Sequence, residues 1–466
     1  MRQVEPRDSE ARERRRARDG LTLTFKRSDR IASAVLHCPV RRGNGNPYDR
    51  CVARILHRRL HYNHVMPRTL PVCLCLILVL CTLPCAAALP PLPHEAYIWQ
   101  RTWTPALSEA IDEAQSAFAG LRVLAAESGQ SGTLNPVSPD LTLLLRHEPV
   151  PVTAVIRING SDPPPDPQAM GARVRAVVRD WKAAGIFLAG IEIDHDCASA
   201  RLSDYARFLH VLRGADWTPG LRLSITALPT WIGTSALREA LAEADESVLQ
   251  VHAVSAPATG LFDARAARRW IDAYAALSAK PFRVSLPAYG VRARFGTDGH
   301  ALAVEAEVPR EMGAGSETRE LRARPQEVAA LLRELAGARP ATLAGIVWFR
   351  LPTQDDRRAW SIQTLRAVIL AQPLIERLQV RVESAPDGAS DLVLANRGTL
   401  DAAFATVSAR GEHCLAADAV GGYRVQRQDG VWHFLAPDGI LRAGRERRIG
   451  WLRCGNVQKV TIDEAR

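Results

Sequence analysis

No glycine cluster follows the first strand-like segment of this 466-residue chain. That argues against the phosphate cradle of an open dinucleotide-binding sheet. Cysteine is scarce in the body of the sequence: of nine, Cys38 and Cys51 lie within residues 1–65 and Cys73, Cys75, Cys81 and Cys85 in the apolar run that follows, leaving Cys197, Cys414 and Cys454. No second histidine cluster accompanies the acidic residues near Cys197, so neither a catalytic metal nor another cofactor is expected. Excess charge is also missing from the body. The formal net charge is +10, but residues 1–65 hold 16 Lys/Arg against 7 Asp/Glu, and the rest holds 44 against 43. A nearly neutral body disfavours nucleic acid as a partner.

The basic stretches "ARERRRARDG" and "RRGNGNPYDR" carry neither helical nor strand period and few apolar residues, so residues 1–65 read as a disordered leader. Then comes "MPRTLPVCLCLILVLCTLPCAAALPPLP" from Met66. Arg68 supplies a short basic region, Leu70 to Leu83 an apolar region, and Ala86 to Ala88 a small-residue cleavage site, the pattern of a secretory signal peptide over 66–88. This predicts translation from Met66, with 1–65 an upstream mis-start, and an exported protein of the periplasm or cell envelope. The competing reading is a basic cytoplasmic tail ahead of a signal anchor. The apolar run is short for a span and is interrupted by Pro71 and Pro84. Cys85 raises a lipid anchor, which Pro84 beside it fits badly. In an oxidising compartment Cys414 and Cys454 could bridge.

The body opens with alternation of strand-like and helix-like segments from about Tyr97 to Leu370. "AYIWQRTW", "LRVLAAES", "PVTAVIRING", the segment around "AGIEIDHD", "LRLSITALPTWI", "SVLQVHAV", "FRVSLPAYG" and "LAGIVWFRLP" read as eight strands, and amphipathic segments such as "DPQAMGARVRAVVRDWKAAG" follow most of them. That count predicts an α/β fold, a (β/α)8 TIM barrel over residues 95–373, with an open doubly wound sheet as the alternative. Between Val291 and Met312, "HALAVEAEVPRE" predicts a β-hairpin inserted after the seventh strand. After Pro373 short alternating runs broken by Gly, Asp and Asn predict a small β-sandwich-like domain over 376–466.

The chemistry concentrates in "AGIEIDHDCAS", where Glu192, Asp194 and Asp196 occupy every second position of a segment otherwise apolar. On a strand that period places all three on one face. Burying unpaired carboxylates is costly, so stability alone does not select the pattern. In a barrel they converge on the C-terminal mouth, and two carboxylates with separated pKa values are the apparatus of glycoside cleavage. "AGIEIDHD" resembles the strand-four signature of chitinase-like glycoside hydrolases, Asp-Gly-x-Asp-x-Asp-x-Glu. Gly190 matches the glycine, Glu192 and Asp194 the two inner aspartates, and Asp196 stands where the catalytic glutamate would be. The resemblance implies Asp196 as acid and Asp194 as the group that orients a substrate acetamido group. Ala189 replaces the first aspartate, and Asp196 is one methylene shorter than glutamate. Over the whole body, "GIEIDHD", "LSITALPTW" and "VLQVHAV" resemble a bacterial envelope family known as domain of unknown function 3142, which implies a barrel and an envelope address.

Further mouth residues follow from strand position. Trp99, Arg101 and Trp103 alternate along the first strand, Trp231 follows the fifth, Gln250 and His252 share a face of the sixth, Tyr289 ends the seventh, and Trp348 and Arg350 share a face near the end of the eighth. Aromatics at a rim stack on sugars, and Arg or His hold hydroxyls or acidic groups. Each also has an ordinary role, packing for the tryptophans and pairing with the acidic strand for Arg101 or Arg350. Strand alternation turns His195 away from Asp194 and Asp196, and Cys197 reads as a small buried thiol. Two functions remain in view: an exported glycoside hydrolase acting on a polysaccharide, and a non-catalytic carbohydrate-binding or envelope assembly protein with a degenerate cleft.

Overall fold

The computed structural model describes residues 22–27, 30–35 and 89–463, apart from 130–132, 147–148, 161, 215–219, 253–259, 296–300 and 306–316. The expected signal segment, 66–88, lies outside the described residues, as does most of the leader. Within that leader, expected to be disordered, Thr22–Arg27 pairs antiparallel with Arg30–Val35. Thr, Leu, Phe, Ile and Val favour strands there, a local signal that the Arg-rich flanks obscure. Among the described residues no helix is long and apolar enough to cross a membrane.

From residue 87 onward the chain forms one unit, and its first part is a closed barrel. Eight parallel strands follow in order: β1 His94–Ile98, β2 Gly120–Ser128, β3 Val152–Ile158, β4 Leu188–His195, β5 Arg222–Ala227, β6 Glu246–Gln250, β7 Phe282–Pro287 and β8 Leu343–Phe349. β1 pairs with both β2 and β8, which closes the ring. This is the (β/α)8 architecture read from the eight strand-like segments. The strands are buried on both faces, which is why they read as nearly continuous apolar runs.

Among the described residues the α-helices are α1 Pro105–Ala114, α2 Leu141–Leu144, α3 Pro167–Ala183, α4 Leu202–Gly214, α5 Ala236–Glu243, α6 Ala264–Ala275, α7 Pro325–Gly337 and α8 Ile362–Ile369. α3 shows why they form where they do. The Asp166 carboxylate accepts from the Ala169 backbone N–H at 2.9 Å, and Pro167 sits in the first turn, where its missing N–H costs nothing. Met170, Val174, Val177, Val178 and Trp181 then form one buried stripe. Burying each such aliphatic side chain stabilises by about 1.5–3 kcal/mol. After β7 the expected hairpin is a three-stranded antiparallel sheet, with Gly290–Phe295 between Ala301–Glu305 and Glu317–Arg322. The third strand contains Glu, Thr and Arg at successive positions, so alternation alone did not reveal it.

Inside the barrel the deepest layer is ionic. Arg122 of β2, fully buried, donates to Glu95 at 2.7 Å, to Ser224 at 3.1 Å, and to Glu192 and Glu246 at short contact. Arg283 joins from β7, donating to Glu246 at 3.0 Å and lying 3.2 Å from Glu95. A Cβ at residue 345 would fall 2.2 Å from an Arg283 guanidinium nitrogen, so β8 carries Gly345 opposite it. Burial would strip Arg122 of its proton, but Glu95, Glu192 and Glu246 hold it firmly charged. Burial likewise raises Glu246, yet Arg122 and Arg283 keep it below the usual glutamate range. Tyr97, Leu124, Val155, Val248 and Val347 form the apolar layer above.

The C-terminal part contains a short two-stranded sheet, Ala402–Ala403 with Ile440–Leu441, and two four-stranded antiparallel sheets. Leu378–Ser384, Ser390–Asn396, Glu446–Arg453 and Ala416–Ala419 make one; Arg424–Gln428, Val431–Leu435, Val407–Glu412 and Asn456–Ile462 make the other. Leu392, Leu394, Val407, Phe434, Ile449 and Leu452 fill the space between them. Cys414 and Cys454 are disulfide-bonded across 40 residues, and Cys197 is a buried free thiol. Arg442 fastens this sandwich-like region to the loop after β8, donating to the Thr353 carbonyl at 3.1 Å and to that of Asp356. Asp401 adds a second clamp, accepting from the Ser361 and Ala443 backbone N–H groups at 2.8 Å each.

Two outcomes follow. Arg122→Met leaves buried carboxylates without their counter-charge and should lower barrel stability by about 3–5 kcal/mol in urea unfolding; a change below about 1 kcal/mol contradicts the hub. In a non-reducing peptide map the Cys414 and Cys454 peptides should run as one linked species, and free alkylation of both would contradict the bridge.

Candidate active site

At the C-terminal mouth the strands end around a cavity of about 300 Å³. β4 sets its floor: Ile191, Ile193 and His195 face the helices, while Glu192, Asp194 and, just past the strand end, Asp196 face the lumen. The neighbouring turn is built to let Asp196 in. A Cβ on Gly160 would lie 2.2 Å from the Asp196 carbonyl oxygen, so only glycine permits that approach, and Arg201 ties the Gly160 carbonyl at 3.1 Å.

Asp194 is buried and accepts a hydrogen bond from the Thr226 hydroxyl at 2.8 Å. Asp196, half-buried, accepts from the Gln250 amide at 3.2 Å. Both partners are neutral, and among the described residues neither carboxylate is compensated by a contact ion pair. Burial and the neighbouring Asp196 charge push Asp194 up to about 7, against the pull of Arg157. Burial also raises Asp196, which Arg157 and Gln250 partly offset. Such a pair gives up its protons in two steps that belong to it jointly, and one proton stays on it toward neutral pH.

The walls are aromatic and centred on Phe349. Its ring lies 5.3 Å from those of Trp99 and Tyr289, 5.7 Å from Tyr97, and stacks on His252 at 5.5 Å. Burial drives His252 down to about 4, so its imidazole is neutral, facing the Ser285 hydroxyl at 3.4 Å and the Tyr289 hydroxyl at 3.3 Å. Burial raises the Tyr289 phenol, which stays protonated. Tyr97 forms the partition below, donating to Glu192 at 2.6 Å.

Of the residues singled out by strand position, Trp99, Asp194, Asp196, Gln250, His252 and Tyr289 come together around this cavity. The others do not. Glu192 lies one inward step deeper and belongs to the Arg122 hub, because two residues along a strand amount to about 6.6 Å of depth. Burial raises its carboxyl against the pull of Arg122. Arg101 lies beyond the end of β1 and pairs with Glu127 at 2.6 Å on the surface. Trp231 is fully buried in the turn after β5, donating to the Cys197 carbonyl at 2.9 Å. Trp348 has the opposite parity from Val347 and Phe349; it faces the helix layer, near Trp360, and donates to His94 at 3.1 Å. Arg350 follows the strand, buried, and pairs with Asp356.

Tyr97, Arg157, Thr226, Leu228 and Phe349 line the cavity without having been singled out. Tyr97 shares the parity of Trp99, and Arg157 is a lone charge ending an apolar strand, so both signals were present in the sequence. His195 points away from the cleft, its ring 5.0 Å from Tyr205, as strand alternation requires. Among the described residues no three His, Cys, Asp or Glu side chains are grouped to hold a metal ion.

Among solved structures, a chitinase from Chromobacterium violaceum ATCC 12472 is 16% identical, with 60% of this chain and 100% of that one aligned at a TM-score of 0.42. The Bacillus cereus spore cortex-lytic enzyme SleL is 13% identical over 60% and 74% of the two chains, also at 0.42. A chitinase from Bacteroides thetaiotaomicron is 12% identical over 60% and 96%, again at 0.42. No curated protein matches the sequence. Residues 379–455 match the family model Domain of unknown function (DUF8456). Residues 148–354, which hold β3 through β8 and the acidic strand, match the family model Domain of unknown function (DUF3142), as the sequence motifs implied.

Proposed function

We propose that this protein is a glycoside hydrolase acting on a polysaccharide by carboxylate acid/base chemistry. One observation carries the reading: Asp194 and Asp196 stand at the floor of an aromatic-walled cavity at the barrel mouth, held by neutral donors, whereas Glu192 below them is sealed by Arg122. Carboxylates kept for stability are paired with arginines, as in the hub. Those of the cleft keep a proton to give. Asp196, nearer the mouth, acts as general acid toward the glycosidic oxygen. Asp194, deeper, orients the substrate or stabilises positive charge developing at the sugar. Trp99, Tyr289 and Phe349 supply ring faces for stacking, and a volume near 300 Å³ is at the lower end for ligand pockets. Export to the envelope is part of the proposal, supported by the signal-like segment at Met66 and by the Cys414–Cys454 bridge.

A panel of chitin, peptidoglycan, cellulose and bacterial exopolysaccharides supplies the assay. Asp196→Asn should lower turnover by about two to four orders of magnitude with the fold retained. In Asp194→Asn the charge that helps hold the pair's proton is gone, so the alkaline limb of the pH profile should move to lower pH. Both carboxyls sit above their unfolded values, so their protonated forms favour folding at low pH. That contribution fades as pH rises from about 4, the unfolded aspartate value, through about 7. Relative to Asp194→Asn, the wild-type melting temperature should therefore fall across that range. Unchanged activity per folded molecule in both variants would retire the catalytic reading and leave glycan binding.

A further inference from the structure

Arg157 is a charged cleft residue to which the acid/base reading gives no part in the chemistry. It ends β3, in register with Asp194 on β4, and its half-buried side chain lines the cavity. Its guanidinium sits over the Trp99 ring, 5.4 Å from the centroid. Among the described residues it makes no hydrogen bond or contact ion pair. The two arginines deeper in the lumen behave differently, since Arg122 and Arg283 each touch carboxylates. Arg157 thus presents a fork of five N–H donors, positioned by an aromatic ring and unspent, at the edge of a cleft otherwise lined by neutral donors and the acidic pair.

Resting on the glycan reading above, we infer that the cleft selects a sugar bearing a carboxylate, which Arg157 binds. The charges in the cavity favour that arrangement. With one proton on the Asp194/Asp196 pair, and with His252 and Tyr289 neutral, the cavity has an anionic pole at the pair and a cationic pole at Arg157. A carboxylated sugar bound with its anion on Arg157 keeps that anion off the acidic pair and satisfies two parallel N–H···O bonds. A neutral sugar would cover the guanidinium and leave its donors unmatched, which is the form of discrimination that buried polar groups give. The source of the anion, a uronic acid or a carboxyalkyl ether on the ring, makes the same demand on Arg157.

The test uses matched probes: tetragalacturonate, a hyaluronan tetrasaccharide and an N-acetylmuramate-containing tetrasaccharide, each against its carboxyl-reduced form. Equilibrium binding is measured with the full chain as wild type, Arg157→Gln and Arg157→Lys, alongside melting temperatures. Wild type should bind at least one acidic probe more tightly than its reduced partner, by on the order of tenfold to a hundredfold. Arg157→Gln should erase that ratio, and Arg157→Lys should keep part of it. Equal binding of acid and reduced forms by wild type overturns the inference and leaves the glycan reading standing. So does a preference that survives in Arg157→Gln; if only the pH profile moves, Arg157 merely tunes the acidic pair. Binding of neither member of any pair overturns the glycan reading and this inference together.

Discussion

Arg122 holds Glu95, Glu192 and Glu246 on the barrel axis, and the arrangement above it depends on that contact. A guanidinium so enclosed keeps its proton because three carboxylates surround it, and each carboxylate tolerates burial because the guanidinium is there. Arg283 adds the second cation, and Gly345 leaves room for it. Tyr97 closes the layer by donating to Glu192, and its ring is at the same time part of the cavity floor. The ionic core and the cleft therefore share one side chain, so a disturbance in the hub reaches the cleft through Tyr97.

With the hub's arginines committed below, the carboxylates at the mouth have, among the described residues, no arginine at contact distance. Asp194 relies on a threonine hydroxyl and Asp196 on a glutamine amide. Those donors satisfy lone pairs without supplying charge, so burial keeps a proton on the pair instead of expelling it. The same strand thus serves two purposes at different depths. Glu192 belongs to the Arg122 hub, and the next two carboxylates are the pair to which the proposal gives the chemistry. The C-terminal sheets bear on this arrangement from outside, since Arg442 grips the loop whose Asp356 pairs with Arg350 behind the cleft. Tyr289 senses the charge of Arg350, which links that brace to the cavity wall.

Much of this was legible in the sequence because period and count are robust. Eight apolar runs alternating with helical stripes admit few architectures, and a carboxylate at every second position of a strand must share a face. Depth was not legible. Nothing in "GIEIDHD" states where the strand meets the plane of the mouth, so Glu192 was grouped with Asp194 and Asp196 although it lies a layer deeper. Parity failed at β8, where Trp348 and Arg350 were read as the face toward the mouth while Val347 and Phe349 point inward. Aromatic residues carry their burial in either direction, so residue type could not fix the facing. Arg101 and Trp231 lie past their strand ends, where alternation no longer applies. Arg157 was visible as a lone charge in an apolar run, but its lack of a hydrogen-bond or ion-pair partner among the described residues is a property of three dimensions.

The shared proton on Asp194 and Asp196 is the claim on which the catalytic account stands, and it can be read without any substrate. Aspartate carboxyl carbons labelled with carbon-13 report each protonation step directly as pH is varied. The account predicts a resonance whose midpoint lies near 7 in the wild type and is lost in Asp194→Asn. If every aspartate in the folded protein titrates below about 5, as ordinary or salt-bridged carboxylates do, the cleft holds no proton to donate at neutral pH and the account is contradicted.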